Sequence, residues 1–261
     1  MYNLTALDAA LRNSVFAGKV HFWPLTDSTN NDAMKMARAG AAHGTVCLAD
    51  AQSAGRGRGG HAWESRAGEG LYVSVVLRPG VPQQRWPLIP LCAGLAAMDA
   101  IEAAAGVRAD LRWPNDVLVG PKKVCGILVE AGMDDAGAAF AVAGIGINVH
   151  QRGFEGEVAA LATSLDVEAG RTVSRQMLLV CLLESLQRET DGLAAEEAAR
   201  QIPARVAGAS TWICGRRVEV HGPQACAGVT AGLDECGFLL VETAGGTVRV
   251  QTGGIRAAET K

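Results

Sequence analysis

A change of texture near Pro203 constrains this chain more than any single motif. Up to about residue 205, apolar positions recur at both helical and strand spacings. Beyond it, short strand-like runs at 217–221, 229–233, 238–242 and 248–251 are separated by glycine-containing turns. Mixed periodicity followed by closely spaced strands predicts an α+β fold in two parts. Residues 1–205 should form a mixed-sheet domain, and residues 206–261 a small antiparallel β-barrel closed by short turns.

Within the first part, Leu4, Leu7 and Leu11 share one helical face, and residues 20–25 read as extended. Thr29 followed by Asp32 has the spacing of a capping box, predicting a helix over 31–39 that Gly40 stops. Residues 46–49 and the valine-rich 71–77 read as strands. An apolar core helix is expected over 87–105, ended by Gly106. Pro114 should break 111–119 into two short extended pieces. Residues 126–131 and 139–148 read as paired strands joined across the turn-prone Asp134-Asp135-Ala136-Gly137, and 174–199 supplies one or two helices.

Composition narrows the function classes. A formal net charge of −3 does not suit a chain that coats nucleic acid, so its basic groups serve locally. The cysteines are odd in number and form no Cys-x-x-Cys pair, which disfavours a zinc site or a disulfide framework and makes a reducing cytoplasm the expected compartment. Asp8, Arg12 and Asn13 interrupt the N-terminal apolar pattern, unlike a secretory signal. No uninterrupted apolar run is long enough to span a bilayer.

Four stretches carry candidate chemistry. Gly55-Arg56-Gly57-Arg58-Gly59-Gly60 combines backbone freedom with forked cations, which suits a loop closing on an anion; the same composition occurs in RNA-binding segments. Arg112-Trp113-Pro114-Asn115-Asp116 precedes Lys122-Lys123-Val124-Cys125-Gly126. Lys123 is either a cation at the mouth of a buried strand or a solvated turn residue, and Gly126 would let a flat ligand lie against the backbone. Gly144-Ile145-Gly146-Ile147-Asn148 places glycines inside a strand, again suggesting close approach, with Asn148 either a ligand partner or a turn residue. Ser28-Thr29-Asn30 gathers hydroxyls and an amide where a helix cap would do the same.

In combination, Asp27-Ser28-Thr29-Asn30, Gln52 through Gly60 with Trp63, Arg112 through Asp116, Lys123 through Glu130 and Gly144 through Asn148 closely resemble the biotin protein ligases, also called biotin–[acetyl-CoA-carboxylase] ligases. The resemblance runs along essentially the whole chain. It implies a mixed-sheet catalytic domain of the biotin/lipoate ligase type with a small C-terminal SH3-like β-barrel. It also implies an ATP-dependent enzyme that forms biotinyl-5′-AMP and passes biotin to one lysine of a biotin carboxyl carrier protein, with ATP and Mg²⁺ as required groups.

Carried over residue by residue, the resemblance assigns biotin binding to Ser28, Thr29, Asn30, Gln52, Arg56, Gly57, Arg58, Lys123 and Gly126. Nucleotide binding falls to Arg58, Trp63, Asn115, Lys123 and Asn148, catalysis to Lys123 and Arg58, and a metal contact to Asp116. Arg112 stands where many relatives have lysine. Gly59 and His61 replace arginines found in some of them, so weaker adenylate retention is expected. With the first motif at Asp27 there is no room before it for a winged helix, so no operator-binding role is expected. No membrane association is expected either, and a homodimer is compatible with the family. Lipoate–protein ligase shares the architecture and stands as the alternative enzyme; an RNA-binding protein stands as the non-enzymatic one.

Overall fold

The computed structural model describes residues 2–258. Seven strands form a mixed sheet in the order β1-β2-β3-β7-β6-β5-β4. They are β1 (Val20–Trp23), β2 (Val46–Ala49), β3 (Gly70–Leu77), β4 (Asp110–Arg112), β5 (Asp116–Val119), β6 (Lys122–Met133) and β7 (Ala139–Asn148). Only β1 and β2 run parallel; every other neighbouring pair is antiparallel. β3 is buried along its whole length, which explains why it is apolar but for Ser74: both faces of the sheet are covered.

One face carries α3 (Ile89–Ala105), packed against α5 (Arg175–Ala194), and α1 (Leu4–Leu11) contacts α5. α3 ends as its sequence suggests, with Gly106 in the left-handed region at φ 70° and its N–H bonded to the Glu102 carbonyl. The segment Gln83–Ala105 is apolar and long enough to cross a membrane by composition, yet 72% of its apolar window is buried, as a core helix requires. The other face carries α2 (Thr29–Arg38), whose Ala33 and Ala37 pack on Cys47, Val76, Phe140 and Val142. Thr29 and Asn30, at the start of α2, are also buried. Buried polar side chains at a helix start need partners, and they lead to the site.

The helix start differs from the capping-box expectation. Ser28 occupies the cap position without a side-chain capping bond, and Thr29 is already helical. The Thr29 hydroxyl turns to Gln52 and Ser74 instead, while Asp32 accepts from Thr26. Pro114 does divide the extended stretch, into β4 and β5. α4 (Leu165–Ala169) precedes α5, and α6 (Glu196–Ala209) follows it. Pro203 lies inside α6, so the texture changes between Ala209 and Cys214, and the division expected at 205/206 falls in the last turn of the helix.

The C-terminal part is antiparallel throughout, in the order β11-β10-β9-β8-β12. Its strands are β8 (Cys214–His221), β9 (Cys226–Leu233), β10 (Leu239–Thr243), β11 (Gly246–Val250) and β12 (Gly254–Ala257). Among the described residues no ladder joins β11 to β12. Instead, the Gln224 side chain bonds the carbonyl of Arg249 and the N–H of Gln251. This module is tied to the first domain by Trp113 Nε1 donating to the Gly237 carbonyl and by Ser210 Oγ donating to the Leu111 carbonyl.

Candidate active site

A cleft opens where the start of α2, the Gly/Arg loop and the glycine-bearing middle of β6 and β7 converge. Ser28, Thr29, Asn30, Gln52, Arg56, Gly57, Arg58, Trp63, Asn115, Lys123 and Gly126 all line it, so the structure gathers most of the expected residues in one place. Asn148 and Asp116 stand outside the lining. Tyr72, Gly144 and Gly146 belong to it although sequence reasoning did not assign them ligand roles.

One end of the cleft is a polar cluster. The Thr29 backbone N–H donates to Gln52 Oε1 at 2.8 Å, and Gln52 Nε2 donates to Ser65 Oγ at 2.7 Å. Ser65 Oγ in turn donates to the Trp63 carbonyl at 3.1 Å. Asn30 Nδ2 donates to Glu130 Oε2 at 2.8 Å, and Glu130 receives Arg56 at 2.7 Å. Arg56 is therefore paired, although exposed, and the loop is not a free Arg/Gly tail. Ser28 also lines the cleft, and among the described residues its hydroxyl makes no hydrogen bond.

The other end is cationic. Arg58 donates to Asn115 Oδ1 at 3.0 Å and to the Gly253 carbonyl of the C-terminal module at 3.1 Å. Both partners are neutral. Burial pulls the Arg58 guanidinium below its ordinary value, opposed by the Asp116 charge nearby. A half-buried cation with neutral partners is a group that an anion would stabilise. Gly59 and Gly60 make the tight turn after it, with φ of 66° and 80°, a conformation that disfavours side chains.

Lys123 is not a solvated turn residue. Its backbone is clamped on both sides, its N–H donating to the Leu161 carbonyl at 2.7 Å and its carbonyl accepting from Thr163 N at 3.0 Å. Its ammonium lies 2.5 Å from Asp116 Oδ1, while Asp116 Oδ2 takes Arg112 at 2.7 Å. Burial would raise the Asp116 carboxyl, but the charge and hydrogen bonds of Lys123 and Arg112 outweigh it and hold it below the usual range. Both carboxylate oxygens are thus occupied by cations. Among the described residues, no cluster of His, Cys, Asp or Glu could hold a metal. In this arrangement the Asp116 carboxylate pairs with Lys123 and Arg112, so its charge holds the Lys123 ammonium close.

A lowered carboxyl pKa contributes stability that is present above the unfolded value and lost as pH falls through the folded one. The melting temperature of Asp116→Asn should therefore trail wild type by about 5 °C at neutral pH, with the gap closing below about pH 4. A pH-independent gap in thermal denaturation would show that the charge is not the cause.

The flat group lying against Gly126 is the indole of Trp63. A Cβ built on Gly126 would approach Trp63 Cζ3 to 2.8 Å, and one on Gly146 would approach Nε1 and Cε2 to 2.6 Å. Gly126 and Gly146 face each other across the β6–β7 ladder, so together they make a bare floor for the ring. Lys123 Nζ lies 5.3 Å from its centroid, and the buried indole Nε1 has no hydrogen-bond partner among the described residues. Asn148 is directed elsewhere: its Nδ2 donates to the Thr163 carbonyl at 3.0 Å, bracing the residue that holds Lys123.

A model of the biotin/lipoate A/B protein ligase family matches residues 22–148. The chain is 38% identical over 177 residues to the bifunctional ligase/repressor BirA of Bacillus subtilis, a match covering 66% of this chain and 54% of that protein. The chain thus spans about half the length of this relative. It is 35% identical over 236 residues to the biotin–[acetyl-CoA-carboxylase] ligase of Mycobacterium tuberculosis, covering 88% of this chain and 85% of that one. The biotin protein ligase of Aquifex aeolicus, solved in complex with biotin and ATP, superposes with a TM-score of 0.79 at 27% identity, covering 93% of this chain and 100% of the other.

Proposed function

The chain belongs to the biotin/lipoate A/B protein ligase family, and from that membership we propose that it activates biotin with ATP and transfers it to a lysine of a biotin carboxyl carrier domain. The observation that carries the proposal is one cleft with hydroxyls and an amide at one end and Arg58 and Lys123 at the other. A cyclic urea offers one carbonyl acceptor and two N–H donors, which suit Ser28, Thr29 and Gln52. A lipoyl dithiolane offers neither kind of group.

In the first step the biotin carboxylate attacks the α-phosphorus of ATP, and pyrophosphate leaves. Two anions must approach, and negative charge grows at the phosphorus. Lys123, at the strand mouth, stabilises that charge; Arg58 holds the phosphate of the product. In the second step the neutral acceptor amine attacks the acyl carbon, AMP departs, and the amine loses its proton. Proximity and electrostatics do the work, since no side chain is covalently changed. Any Mg²⁺ would accompany the ATP phosphates rather than occupy a protein cage.

Incubation with ATP, Mg²⁺, biotin and a carrier domain should add one biotinyl mass to a single carrier lysine. No gain with several carriers, from folded protein, would overturn the proposal. Lipoic acid should not compete. Arg58→Gly should release the adenylate early and label bystander proteins at least about 10-fold more than wild type, because one charge-assisted pair contributes roughly 1.5–3 kcal/mol. Unchanged bystander labelling, read by avidin blot, would remove the retention role of Arg58.

A further inference from the structure

Ser74, on β3, lies beneath the polar end of the cleft with no solvent exposure and does not line it. Its hydrogen bonds form a chain whose donor directions can be deduced. Asn30 Nδ2 faces two acceptors, Glu130 Oε2 at 2.8 Å and the Leu128 carbonyl at 3.3 Å. The amide is thereby fixed with Oδ1 toward Ser74, and that oxygen only accepts. Ser74 Oγ, 2.6 Å away, must give its single proton there. Toward Thr29 Oγ1, at 2.8 Å, Ser74 then presents only a lone pair.

The second polar neighbour of Thr29 is wired in the same sense. Gln52 Oε1 is held toward Thr29 by the backbone N–H at 2.8 Å and lies 3.2 Å from the hydroxyl. The other end of that amide is spent on Ser65. Both neighbours of the Thr29 hydroxyl are therefore acceptors, so its proton is used within the protein. Only lone pairs of Thr29 remain for the cleft.

We propose that Ser74 is a positioning residue that fixes the polarity of Thr29, so that the ring end of the cleft requires a ligand N–H. It never touches the ligand. This deepens the biotin reading and rests on it: a urea N–H meets the demand, whereas a ring oxygen at the same point would place lone pair against lone pair.

The test compares biotin with two cyclic carbamate analogues, in each of which oxygen replaces one ureido N–H. Affinities are measured by calorimetry for wild type and for Ser74→Ala. Wild type should favour biotin over one of the carbamates by about 10- to 100-fold, the range set by an unmade buried hydrogen bond. In Ser74→Ala the 2.8 Å neighbour is gone and only the longer 3.2 Å contact to Gln52 competes for the Thr29 proton, which can then turn to a ligand oxygen, and the preference should shrink to about 3-fold or less. A general loosening of the fold would weaken both ligands alike and leave the ratio intact, which would overturn the proposal. Ser74→Cys, with its weak donor, supplies the same ratio should the alanine variant not fold. Biotin binding by wild type with undiminished discrimination in the variant sinks the role of Ser74 alone; no biotin binding by wild type sinks the parent reading with it.

Discussion

Replacing Lys123 with alanine is expected to lower adenylate formation by about 10²- to 10³-fold, the scale of losing one preorganised group at developing charge. The protein should stay folded. The backbone of Lys123 is anchored through Leu161 and Thr163, and neither bond uses the side chain. Asp116 would lose one cation but keep Arg112 at 2.7 Å, so no uncompensated buried carboxylate is left behind. Lys123→Arg keeps the charge but exchanges a point ammonium for a wide fork, so it should recover only part of the rate. Biotin-dependent exchange of labelled pyrophosphate into ATP measures the step directly. A rate near wild type for the alanine variant would remove Lys123 from the chemistry.

How much of this site could be read from the chain depends on the range of the interaction. Local rules served well where local geometry decides: Gly106 ends α3, Pro114 separates β4 from β5, and the valine-rich run is β3. They failed at Thr29. The Thr-x-x-Asp spacing is the same whether threonine caps the helix or stands in its first turn, and the outcome was decided by Gln52, a partner 23 residues away. Gly126 and Gly146 announced a close approach correctly, but sequence could not say that the approaching group is Trp63. Ser74 gave no signal at all, being one hydroxyl in an apolar strand. β12 was missed because Gly254–Ala257 is short, lies at a sheet edge and carries Arg256. The two ion pairs of Asp116 with Lys123 and Arg112 gave no signal in the motif and appear only in the distances.

Gly144→Ala should have the second largest effect, on stability as well as on ligand affinity. The backbone at Gly144 does not lie in the left-handed region, so alanine would be tolerated there on conformational grounds and would even stiffen the unfolded chain. The clash reverses the sign. A Cβ at this position would lie 1.9 Å from Asn30 Oδ1 and 2.8 Å from its Cγ. Asn30 must then give up Ser74, Leu128 and Glu130, and the buried Ser74 hydroxyl loses its acceptor. Overpacking and an orphaned polar group together cost about 2–4 kcal/mol, or roughly 8 °C in melting temperature for a chain of this length. Biotin affinity should fall as well, because Thr29 loses its fixed neighbour. Gly208→Ala is the control: in α6, with nothing within 4 Å of its added Cβ, it should be neutral or slightly stabilising. Adding Asn30→Ala to Gly144→Ala should restore part of the lost stability by removing the colliding amide. If Gly144→Ala melts within 1 °C of wild type, or the second substitution recovers nothing, then Asn30 does not need the bare backbone that β7 offers it.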